Sequence, residues 1–147
     1  MIYFLVITLG NSQNVEHGNY FEKIGPVNLN YTIRGNGPIM MVGHPSSGKI
    51  GYELSLQPLE NHFTIVYYEP RGTGKSEAPT TIEQYNQSYL VEEIENLRKH
   101  LNVDKIWIFG HSDQSSVALE YALKHQNHTS GLIITGTSFI ATQQESI

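Results

Sequence analysis

Apolar and polar positions alternate at period two over residues 28–34, where Asn28, Asn30 and Thr32 interleave with Leu29, Tyr31 and Ile33. With residues 19–24 on the other side of the Gly25-Pro26 turn, this predicts two strands. Residues 39–42 are apolar on both faces, as strands of a covered parallel sheet are, and residues 63–68 are rich in β-branched and aromatic side chains. Further strands are expected at 106–109 and 132–135. Between them the period changes to 3.6. A short helix is expected near 50–57. A longer one carries the stripe Leu90, Ile94, Leu97 and Leu101, with Ser88 as expected N-cap, Glu92 and Glu93 early, Arg98, Lys99 and His100 late, and Asn102 closing it. Val117, Ala118, Tyr121 and Ala122 mark a third over 114–125. Strand and helix alternate, so the expected architecture is α/β: a mostly parallel twisted sheet of about six strands with flanking helices and right-handed crossovers.

The 147 residues amount to one domain, with no internal repeat, low-complexity tract or linker. A hydrophobic content of 39% against 16% charged argues for a packed core and against disorder. The formal net charge of −5 gives no basic footprint, so neither nucleic acid nor an anionic membrane is an expected partner. Having no Cys, the chain offers no disulfide, thiolate metal site or thiol nucleophile. The apolar opening, Met1 to Leu9, is too short to span a bilayer. No Lys or Arg precedes it and no small-residue cleavage site follows, so residues 1–17 read as an extra strand or irregular leader rather than a secretory signal. The cytoplasm is the expected compartment.

Three loops follow the C-terminal ends of predicted parallel strands, where α/β sheets place their sites. The first is His44-Pro45-Ser46-Ser47-Gly48, in which Pro45 lacks an N–H and Ser46 is the available backbone donor. The second is Glu69-Pro70-Arg71-Gly72-Thr73-Gly74-Lys75-Ser76. Its tail imitates a phosphate-binding P-loop, but the position that motif reserves for its first Gly holds Glu69, a carboxylate that would repel phosphate. A nucleotide is therefore not expected; Glu69 and Arg71 are expected to form an ion pair bracing a tight turn at Gly72 and Gly74. The third is Gly110-His111-Ser112-Asp113-Gln114, between a strand and a helix. It keeps the first half of G-x-S-x-G, the nucleophile elbow, and replaces the second Gly by Gln114, which is expected to crowd the helix against the strand. An elbow would lift the Ser112 hydroxyl clear of the backbone, and the helix N-terminus would face developing negative charge.

Taken together, the three loops resemble those of the α/β-hydrolases, in particular the proline iminopeptidase-like branch. Gly43-His44-Pro45-Ser46-Ser47-Gly48 is similar to the H-G-x-x-G oxyanion loop, and Glu69-Pro70-Arg71-Gly72-Thr73-Gly74-Lys75-Ser76 to that branch's D-x-R-G-x-G-x-S. Gly110-His111-Ser112 with Ala118-Leu119-Glu120-Tyr121-Ala122 is similar to the elbow and its helix. The resemblance covers roughly residues 18–137. It implies a serine hydrolase of ester or amide bonds, with Ser112 as nucleophile and the backbone N–H groups of Ser46 and Asp113 as the oxyanion hole. It implies no cofactor and no metal.

Such a nucleophile needs a His base oriented by a carboxylate, and in this fold both follow the Ser in the chain. After Ser112 come only His125 and His128, beyond a helix of about twelve residues and so ~18 Å away. The only Asp residues are Asp104, at the wrong end of its strand, and Asp113. His111 is expected to point into the sheet, which leaves His44 as the one conceivable substitute base. Relatives continue into a cap and further strands, and residues 138–147 read as the start of that cap. The expectation is thus a truncated α/β-hydrolase core over 18–137, inactive alone. A small-molecule or peptide substrate would be bound only when a C-terminal half completes it. The alternative is a non-catalytic half-fold that forms a homodimer through the edge of the sixth strand.

Overall fold

A computed structural model describes residues 15–43 and 49–136. The expected leader before residue 15, the His44-to-Gly48 loop and the tail after residue 136 lie outside the described residues. The elements are β1 (Gly18–Ile24), β2 (Val27–Gly35), β3 (Ile39–Gly43), α1 (Ile50–Ser55), β4 (Thr64–Tyr68), α2 (Gln87–His100), β5 (Ile106–His111), α3 (Gln114–Lys124) and β6 (Thr129–Thr135). The strands form one sheet in the order β1-β2-β4-β3-β5-β6. β1 with β2 and β2 with β4 run antiparallel, whereas β3 with β4, β3 with β5 and β5 with β6 run parallel. The α/β sheet read from the sequence is therefore the sheet observed.

Period-two alternation explains how continuous apolar strands serve both faces. Met41, Val66, Tyr68, Ile106 and Ile108 pack with Ile94 and Leu97 of α2 and Val117 and Tyr121 of α3. Their neighbours Met40, Val42, Ile65, Tyr67 and Phe109 face the other way, under Tyr52, Leu56 and Leu59 of α1 and the turn after it. On β6, Leu132 joins the first cluster and Ile133 the second, each only partly buried.

Local details differ from the expectation. Asn86, not Ser88, caps α2: its backbone is extended and its side chain accepts the Tyr89 N–H at 3.3 Å, while the Ser88 hydroxyl donates back to Asn86 Oδ1. Asn102 does end the helix, in the left-handed region at φ +53°. β6 begins at Thr129 rather than 132, because Ile106 and Trp107 of β5 pair with Thr129 and Gly131, partners that strand propensity alone does not reveal.

The Glu69–Arg71 ion pair does not form. Arg71 turns away to Glu93 of α2, Nε to Oε2 at 2.8 Å, with its own N–H on Oε1 at 3.1 Å; both side chains are about 1% exposed. Its guanidinium also lies over the Tyr89 ring, 5.1 Å from the centroid. Burial pushes the Glu93 carboxyl up, against the pull of Arg71. Glu69 instead folds over its own loop and accepts from Lys75 N, Asn30 Nδ2 and Lys49 N. Burial works to raise it, but these donors outweigh burial and hold it below the usual carboxylate range. Gly74, at φ +51°, makes the fold-back possible, since a Cβ there would come within 2.3 Å of both Glu69 carboxylate oxygens. Gly72 donates its N–H to Glu77 O at 2.9 Å and closes the turn. The loop is braced by two separate carboxylates, one for each of its ends.

Candidate active site

β5 and α3 meet at Ser112, which is exposed at the end of the parallel strands. Its φ is +52°, one of two non-glycine residues of positive φ among the described residues. An L-residue there costs on the order of 1–2 kcal/mol and needs its surroundings to hold it. Two backbone bonds do so: the Ser112 N–H donates to Thr135 O at 3.1 Å, and Ser112 O accepts the Ser115 N–H at 3.0 Å. A Cβ on Gly110 would lie 2.8 Å from Ala118 Cβ, Gln114 O and Ser115 Cα, so only Gly lets α3 come this close to β5. Gln114 is buried at the start of α3, and the contact it was expected to crowd is made.

Asp113 occupies the N-cap position with helical dihedrals and makes no side-chain cap, so its carboxylate is exposed to solvent. Among the described residues no acceptor is bonded to its N–H. Ser46, the other expected oxyanion donor, lies outside the described residues. His111 does not point into the sheet. Paired with Thr135 at the end of β5 and β6, its ring leaves the sheet surface, with Nδ1 2.9 Å from Thr135 Oγ1 and Tyr52 edge-on at 6.2 Å between centroids. His125 and His128 stand at the opposite end of α3. His125 packs on Tyr121 with its Nε2 buried and unpartnered, and His128 Nδ1 bonds Asp104 O at 2.9 Å. Among the described residues no His is hydrogen-bonded to the Ser112 hydroxyl, and no three His, Cys, Asp or Glu side chains converge as metal ligands.

A left-handed Ser between a parallel strand and a helix, over an obligatory Gly, is the geometry of a nucleophile elbow. The alpha/beta hydrolase fold family model matches residues 39–147, well over half of the chain. The chain belongs to the alpha/beta hydrolase fold family. Within it, the proline iminopeptidase of Saccharolobus solfataricus is 32% identical over 141 residues, covering 92% of this chain and 45% of that protein. The proline iminopeptidase of Thermoplasma volcanium is 41% identical over 87 residues, 58% of this chain and 29% of that protein. Among solved structures, a proline iminopeptidase-related protein of Thermus thermophilus superposes with a TM-score of 0.72 at 24% identity, over 81% of this chain and 44% of the other. An epoxide hydrolase of Bacillus megaterium gives the same TM-score at 22% identity, so likeness at this level speaks for the hydrolase fold alone. The chain spans less than half the length of these relatives.

Sequence reasoning missed Thr135 at this site and, in the brace of the Arg71 loop, Glu93. Thr135 gathers bonds from the elbow, and no motif marks it. Glu93 could have been found: it stands three residues after Leu90 and four before Leu97, on the apolar stripe of α2, where a carboxylate needs a buried partner.

Proposed function

We propose that this chain is the nucleophile-bearing part of a proline iminopeptidase-like serine hydrolase acting on ester or amide bonds. The left-handed Ser112 above Gly110 is the observation that carries this reading, and the likeness to proline iminopeptidases narrows it. Ser112 Oγ attacks the substrate carbonyl, and the oxyanion is met by the N–H of Asp113 and, outside the described residues, of Ser46. The general base and its carboxylate come from a C-terminal half; the cytoplasm is the proposed compartment and neither metal nor cofactor is required. Losing triad members removes most of the rate, so the 147 residues alone turn over little substrate. Two measurements test this. A fluorophosphonate probe should label the 147-residue chain no more than its Ser112→Ala variant, and strong Ser112-dependent labelling would overturn the need for a C-terminal half. A chimera continuing into the C-terminal half of the Saccharolobus relative should cleave proline p-nitroanilide. Cleavage that survives Ser112→Ala would remove Ser112 from the mechanism.

A second reading, self-association through β6, is favoured by the contrast between the two edges of the described sheet. β1 carries Glu22 and Lys23, whereas β6, Thr-Ser-Gly-Leu-Ile-Ile-Thr, carries no charge to discourage pairing. A homodimer should sediment as such at micromolar concentration, and a stable monomer there rules this association out.

A further inference from the structure

The last residue of β6 is tied to the elbow by three different residues. The Thr135 carbonyl accepts the Ser112 N–H at 3.1 Å and the Ser115 hydroxyl at 3.4 Å, and Thr135 Oγ1 lies 2.9 Å from His111 Nδ1. The His111 ring also rests on the backbone of Gly136, at φ +62°, where a Cβ would come within 2.4 Å of His111 Cε1. Tyr52 stands near-perpendicular to the same ring, 6.2 Å between centroids. An exposed His at a strand end is ordinarily free to rotate; here the hydrogen bond and two packing contacts fix its ring.

Ser112 gains nothing intrinsic from its left-handed backbone, so its neighbours must impose it. The Ser112 N–H reaches its acceptor only while Thr135 stays in register, and Thr135 terminates the outermost strand of the described sheet, where ladders open first. The side-chain contact with His111 pins that terminal residue. It also has a chemical consequence: the Ser112 N–H is committed to Thr135, which leaves the Asp113 N–H as the elbow's donor to a substrate oxyanion.

We propose that His111 is a positioning residue for Ser112, holding the elbow in its left-handed conformation through Thr135 and Gly136. The functional meaning rests on Ser112 being the nucleophile; the positioning itself does not. Amide hydrogen exchange on the full 147-residue chain tests it, with the Ser112 amide as reporter and Val66, inside central strand β4, as reference. His111→Ala, Thr135→Val and Gly136→Ala should each speed exchange at Ser112 about tenfold, the change that losing one hydrogen bond produces, whereas Ile24→Val, a core truncation on β1 away from the elbow, should speed Val66 and leave Ser112 unchanged. Thr135→Ser and His111→Gln keep hydrogen-bonding groups in place and should restore most of the protection. Unchanged exchange at Ser112 in His111→Ala, acceleration of Ser112 in Ile24→Val equal to that of Val66, or failure of Thr135→Ser to rescue would each overturn the proposal. Because exchange does not require Ser112 to react, a chimera whose cleavage ignores Ser112 would sink the nucleophile reading while leaving this pattern intact.

Discussion

Replacing Gly110 by Ala tests whether the closeness of α3 to β5 is what builds the elbow. The new Cβ would meet Ala118 Cβ, Gln114 O and Ser115 Cα, each at 2.8 Å. Carbon contacts settle near 3.5–4.0 Å, so strand and helix must separate by roughly 0.7–1.2 Å. Two of the three atoms belong to the helix backbone and cannot rotate aside, which places the cost in the upper part of the ~1–3 kcal/mol range for overpacking. Ala restricts the unfolded chain more than Gly and returns about 0.5 kcal/mol. The net expectation is a loss of about 2 kcal/mol. Urea unfolding followed by fluorescence measures it well, because the single Trp, Trp107, sits on β5 itself. The midpoint should fall with little change in slope. Gly51→Ala is the control: that glycine lies inside α1 with nothing within 4 Å of an added Cβ, so the same substitution should stabilise by about 0.5–1 kcal/mol. A Gly110→Ala protein within about 0.5 kcal/mol of the parent, beside a normal Gly51→Ala, would refute the packing argument.

Three further outcomes are expected. The Arg98 hydrogen bond, helped by the Tyr121 hydroxyl at 2.9 Å, holds the Glu95 carboxyl down to about 2 against its burial. A depressed carboxylate stabilises the fold fully above its ordinary value of 4.5 and loses that contribution as pH falls toward 2; about 2–3 kcal/mol should vanish across this window, and circular dichroism of Glu95→Gln should show a flatter acid limb. Glu93→Gln neutralises the carboxylate paired with the buried Arg71 and should cost up to about 3–5 kcal/mol in thermal or urea unfolding, whereas the double replacement Arg71→Met with Glu93→Leu should recover much of it. At Ser112, Gly relieves the left-handed strain and Val aggravates it, so Ser112→Gly should be about 1–2 kcal/mol more stable than Ser112→Val, and equal stabilities would show that no strain is stored there.

The hydrophobic pattern by itself determined the six strands, three helices and α/β class, because period-two alternation, continuous apolar runs and each helix's single stripe are local properties of the chain. The loop motifs likewise marked Ser112, with Gly110 two residues before it, from spacing alone. Pairing across space was not legible. Glu69 and Arg71 are near neighbours of opposite charge, yet the backbone between them sends one over Gly74 and the other into the core, where Glu93 waits 22 residues along the chain. The full length of β6 depended on β5 offering hydrogen-bond partners. His111 is expected inside the sheet and lies outside it, because Thr135, 24 residues away at the end of β6, and Gly136 just after it hold its ring. Periodicity reports which way a side chain faces from its own element; which group it meets there depends on long-range geometry that the tertiary structure alone decided.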